Sequence, residues 1–93
     1  MENTEEFYAK FKTSLEETTE FPSEFTYKFI LPTSHKKLAE IQQVFDGTNP
    51  TFRSNESKNG KYTSITVVIY VLDADQVIYY YKEVAKIEGV IML

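Results

Sequence analysis

The stretch FRSNESKNGKYTS carries three bases, Arg53, Lys58 and Lys61, within nine positions, with Ser54, Asn55, Ser57 and Asn59 among them. Guanidinium and ammonium groups beside hydroxyls and amides suit an anion or an acidic protein surface, because charge-assisted hydrogen bonds are the strong ones. A hairpin tip is also polar simply because it is solvated, and lysines near a sheet edge discourage aggregation. Arg53, Lys58 and Lys61 stand as the candidate ligand or anion contacts.

Other chemistry finds less support. His35 is the one histidine and there is no cysteine. A Ser/His/Asp set would need a distant serine and acid without a supporting motif, so His35 reads as a solvated or capping residue at the start of a helix. One histidine and scattered carboxylates lack the spacing of a metal site, and no catalytic residue or cofactor is expected. Gly47, Gly60 and Gly89 are isolated, each explained by a turn, so no phosphate loop is expected either. Non-enzymatic action follows as the expectation.

A run of aromatics, Tyr79, Tyr80 and Tyr81, raises the question of a stacking platform. On a helix, successive residues turn by about 100°, so the three rings fan out and cannot share one surface. The spacing puts Tyr80 on a core stripe with Val77, Val84 and Ile87, Tyr81 at the boundary with Ile78, and Tyr79 outside.

The elements that must position these residues are readable from periodicity. Residues 3–19 predict a helix capped by Asn3 or Thr4, with Phe7, Phe11 and Leu15 in one stripe and Pro22 beyond its end. Glu24 to Leu31 alternates as a strand, Phe25, Tyr27, Phe29 and Leu31 facing the core. Thr33 or Ser34 caps a second helix to about Asp46, lined by Leu38, Ile41 and Phe45 and stopped by Gly47. Thr51 to Glu56 and Tyr62 to Leu72 are strands around Asn59-Gly60, a strong signal for a tight hairpin turn. Asp73 caps a third helix, with Gln76 in a capping-box position. VIML closes the chain as a short strand.

The order after the first helix is βαββαβ, which predicts an α+β, ferredoxin-like sandwich: a four-stranded antiparallel sheet with two helices on one face. The N-terminal acidic helix and break (1–22) precede the ferredoxin-like domain (23–93). The second sheet face is open unless a partner or the first helix covers it. Thr26, Lys28, Ile30, Ser64, Thr66, Val68 and Tyr70 would line that interaction face.

Charge narrows the partners. The net charge is −4, yet residues 1–24 hold seven Glu against Lys10 and Lys12, and residues 25–93 are nearly neutral. A nucleic-acid binder concentrates basic charge on one face. Tyr62 and Tyr70 would lie on the open face, but Ser64, Thr66 and Val68 between them offer no ring to a base. Weak RNA binding is thus a minor alternative. No apolar run approaches the ~20 residues of a membrane span, and no secretory signal is visible, so a cytoplasmic, membrane-free protein is expected.

The segments EFPSEFTYKF, SKNGKYTSITVVI and VAKIEGVIML together resemble the YbeD-like family of small bacterial proteins, over roughly residues 16–93. The resemblance implies a ferredoxin-like domain similar to ACT regulatory domains, and an association with lipoate regulation that rests on gene neighbourhood. ACT domains commonly pair and bind small molecules at a glycine-bearing loop after the first strand. Pro32-Thr33-Ser34-His35 stands there instead, without a glycine. The sequence therefore points to a regulatory or protein-interaction module, pairing with itself or with another protein. A sensor of a small anionic metabolite is the alternative.

Overall fold

The computed structural model describes residues 4–93. Its elements run α1 (Thr4–Thr18), β1 (Ser23–Pro32), α2 (His35–Val44), β2 (Thr51–Glu56), β3 (Tyr62–Val71), α3 (Ala74–Ala85) and β4 (Ile91–Met92). The strands form one antiparallel sheet in the order β2-β3-β1-β4. This is the expected βαββαβ arrangement behind one additional helix.

Period-two alternation decides which sheet face is buried. Tyr27, Phe29 and Leu31 of β1 and Ile65, Val67, Ile69 and Val71 of β3 are all buried against the helices. Ile41 and Phe45 meet them from α2, and Val77 and Val84 from α3. The Tyr27 hydroxyl, deep in this core, donates to the Val77 carbonyl at 3.0 Å, which satisfies a polar atom that would otherwise be costly to bury.

Caps fix the helix starts. The Ser34 hydroxyl accepts from the Lys37 amide at the head of α2, and the Asp73 carboxylate accepts from the Gln76 amide at the head of α3. Gln76 reaches back to the Leu72 amide at 2.7 Å. The Asn3 cap lies outside the described residues, and Thr4 is already helical. Gly47 adopts φ +86° beyond α2, the left-handed stop expected of it.

The hairpin differs from the tight turn that Asn59-Gly60 suggests. Among the described residues of this turn only Gly60 has positive φ, +71°. The Gly60 amide donates to the Ser57 carbonyl, and the Ser57 amide to the Tyr62 carbonyl. Asn59 Oδ1 accepts from the Lys61 amide and the Ser57 hydroxyl. That side-chain bonding favours an Asx-type turn over a left-handed asparagine, and the loop is longer as a result.

Helix α1 docks on α3, on the side of the sheet that already carries helices. Leu15 is buried in the common core, and Phe11 meets Tyr81 with ring centroids 5.5 Å apart. Lys12 pairs with Asp75 at 3.1 Å, and Lys82 lies 4.9 Å from the centre of the Tyr8 ring. Tyr81 keeps the boundary place expected of it, whereas Tyr80 is less buried than its place on the core stripe implies. Both rings are half-buried: Tyr81 sits among Phe11, Phe25, Tyr27 and Phe29, and Tyr80 stacks on Phe45 and meets Tyr27. Ile78, on the same side of α3, is buried where α1 packs against that helix. Tyr79 is exposed, as its position on the helix requires.

Candidate functional site

With three helices on one side, the other side of the sheet is bare. Thr26, Lys28, Ser64 and Tyr70 are exposed there, and Ile30, Thr66 and Val68 are half-buried. Along β3 the outward residues are Tyr62, Ser64, Thr66, Val68 and Tyr70, so short side chains form a floor between two exposed tyrosines. Antiparallel register extends that floor sideways into rows. Val68 pairs with Thr51 and Thr26, Thr66 with Arg53 and Lys28, and Ser64 with Asn55 and Ile30. Ile91 of β4 continues the last row.

The central row is the distinctive one. Arg53 on β2 and Lys28 on β1 flank the Thr66 hydroxyl on β3. Two strand spacings separate their backbones, about 10 Å, so both long side chains can reach the space above Thr66. Neither base makes a salt bridge or side-chain hydrogen bond among the described residues. Lys28, Thr51, Arg53, Asn55, Thr66 and Val68 line a depression of about 370 Å³.

The hairpin cluster read from the sequence is divided. Arg53 joins the sheet-face row, while Lys58 and Lys61 sit at the turn, with roughly 15 Å of extended chain between Arg53 and Lys58. Lys28 takes their place beside Arg53. Local spacing could not reveal this pairing, since 25 positions separate the two bases in the chain. Strand parity carried the signal: Phe52 faces the core, and its neighbour Arg53 must face outward with Lys28.

Two further features lie elsewhere. Phe7, Tyr8, Phe11, Tyr81, Met92 and Leu93 enclose an apolar cleft of about 180 Å³ between α1 and the end of β4. His35 stands exposed in the first turn of α2, near a small hollow lined also by Ser34, Glu56 and Thr63. Among the described residues no three His, Cys, Asp or Glu side chains come together as a metal site, and no helix is long and apolar enough to cross a membrane. Titration follows burial and pairing. Desolvation pushes the Tyr27 phenol strongly upward, helped by the neighbouring Tyr81 and Tyr80, and desolvation raises Tyr81 as well. Asp75 raises Lys12, and Glu83 raises Lys86.

A four-stranded antiparallel sheet in this order, with helices on one face and a bare second face, defines an α+β protein of the ferredoxin-like kind. Residues 16–93 match the family described as "Protein of unknown function (DUF493)", and the chain belongs to this YbeD-like family. UPF0250 protein YbeD of Escherichia coli O1:K1 / APEC is 34% identical over 85 residues, spanning 88% of this chain and 98% of the relative. The protein of the same name from Shigella boydii serotype 18 matches equally. Among solved structures, the solution structure of HP0495 from H. pylori is similar at a TM-score of 0.65 and 20% identity. It covers 82% of this chain and 86% of its own, a likeness of fold.

Proposed function

We propose that the protein is a non-enzymatic regulatory or interaction module that works through the bare face of its sheet. One observation carries this reading: α1 docks on α3 and leaves the second sheet face uncovered, with Lys28 and Arg53 unpaired upon it. The sheet face, bordered by exposed Tyr62, Tyr70 and Ile91, combines apolar groups with the unpaired charges of Lys28 and Arg53. The single histidine and the lack of cysteine also favour binding over nucleophilic or metal-assisted chemistry.

Substitution distinguishes this surface from the helical one. Ser64→Arg places a bulky cation on the exposed floor of the sheet, and Lys82→Glu reverses a charge on exposed α3. Affinity purification from the native cell is expected to lose its co-purifying protein with Ser64→Arg and keep it with Lys82→Glu. Retention by Ser64→Arg, or a wild-type protein that is strictly monomeric and retains nothing, contradicts the reading.

A further inference from the structure

We infer that the Arg53–Thr66–Lys28 row is a binding site for a dianionic phosphoryl group, as in a small phosphomonoester. This rests on the reading of the bare sheet face as the working surface and assigns that surface a ligand chemistry.

Charge is the first argument. Two bases face the same hydroxyl from opposite strands, and neither has an acidic partner among the described residues. Glu56 does not compensate them, because it pairs with Thr63 and so belongs to the helix-covered side of the sheet. Glu24 lies beside Tyr70, four residue pairs from the Lys28–Thr66 pair. A local charge of two positive units matches a phosphate monoester, which carries about −1.5 to −2 at neutral pH. A single carboxylate or a phosphodiester would leave one cation unmatched.

Donor geometry is the second argument. A phosphoryl group has three terminal oxygens, and the row offers three kinds of donor, the Arg53 guanidinium, the Thr66 hydroxyl and the Lys28 ammonium. Guanidinium supplies a planar fork for two oxygens, and ammonium supplies a compact charge for the remaining one. The short side chains of Ser64 and Val68 on either side of Thr66 keep the floor low, so the group can descend between the two bases. Thr51 and Asn55 flank Arg53 along β2 and line the same depression of about 370 Å³, where an ester substituent would lie.

The three rows also explain why the hairpin lysines are not the site. Lys58 and Lys61 sit on the turn beyond the last strand pair, and neither lines the depression that Arg53 shares with Lys28. The assignment therefore separates two basic features that lie together in the sequence.

The test is an amide chemical-shift titration of the full chain with inorganic phosphate, O-phosphoserine and dimethyl phosphate, at constant ionic strength set with chloride. Saturable shifts centred on Lys28, Arg53 and Thr66 are expected, with a Kd of about 1 mM or tighter for the dianions. Dimethyl phosphate is expected to bind about tenfold more weakly. Stronger saturation by O-phosphoserine than by inorganic phosphate assigns the site to esters, and the reverse assigns it to the free ion. Both bases are exposed, so Lys28→Gln and Arg53→Gln keep the fold, and each is expected to weaken binding about tenfold. Lys58→Gln with Lys61→Gln leaves binding unchanged. Shifts centred on the hairpin turn, equal binding of the diester, or full binding by the Lys28→Gln, Arg53→Gln double variant overturns the assignment. If phosphate fails to bind while Ser64→Arg still abolishes partner retention, the ligand assignment falls alone and the working surface stands.

Discussion

The ring of Tyr81 lies edge-on to the ring of Tyr27, with centroids 4.8 Å apart and planes at 61°. That contact ties α3 to the central strand β1, and α1 closes over it through Phe11. Tyr81→Ala is expected to cost about 3–5 kcal/mol, because truncation leaves a cavity among aromatic neighbours. Tyr80→Ala, which loses chiefly the stack on Phe45, should fall between that value and the cost at exposed Tyr79, under about 1 kcal/mol. Denaturant titrations of the three variants check the order. Equal losses at Tyr79 and Tyr81 would contradict it.

Tyr27 and Tyr81 also set a limit on alkaline stability. Burial raises both phenols above the ordinary value of 10.0, so the folded state keeps protons that the unfolded chain releases. Stability is therefore full below about pH 10 and declines as pH rises through and beyond it. Tyr27→Phe loses the hydrogen bond to Val77, about 1 kcal/mol at neutral pH, and makes the alkaline decline shallower. Melting temperatures measured from pH 7 to 11 test both parts. An unchanged alkaline slope in Tyr27→Phe contradicts the second.

Docking of α1 should depend on apolar contact more than on its ion pair. Leu15→Ala is expected to cost about 2–4 kcal/mol, since Leu15 is part of the buried core. Lys12 and Asp75 form an exposed pair, and their coupling should vanish as salt is raised. A double-mutant cycle at low and high salt measures that coupling. Persistence at high salt would show that the pair is less solvated than its exposure implies.

The hairpin offers a local test of turn chemistry. Gly60→Ala forces a side chain into φ +71° and is expected to cost about 1 kcal/mol. Asn59→Gly removes the acceptor that holds Lys61 and Ser57 and should also destabilise, although glycine would favour a tight two-residue turn. Stabilisation by Asn59→Gly in thermal unfolding would contradict the turn described here.

Alternation of Phe25, Tyr27, Phe29 and Leu31, and of Ile65, Val67, Ile69 and Val71, made the strands and their buried face legible, because period two is a local property. Asp73 and Ser34 marked helix starts for a similar reason: a cap acts within three residues. The Phe7–Phe11–Leu15 stripe announced that α1 must dock, but a stripe carries no record of what it meets. The contact of Tyr81 with Phe11 is hidden for that reason, since its partner lies on a helix some seventy positions earlier. The Lys28–Arg53 row was hidden likewise. Alternation along β1 places Lys28 on the open face, whereas chain spacing groups Arg53 with Lys58 and Lys61, and only the two pairings with β3 bring the bases together.

The central claim is that the bare sheet face is where this protein meets its partner. The absence of native cysteine allows one reactive site at a time, so Ser64→Cys on the sheet and Lys82→Cys on α3 can each carry a photo-cross-linker in the native cell. A discrete cross-linked product from position 64 and none from position 82 is the predicted result. A product from position 82 alone would contradict the account.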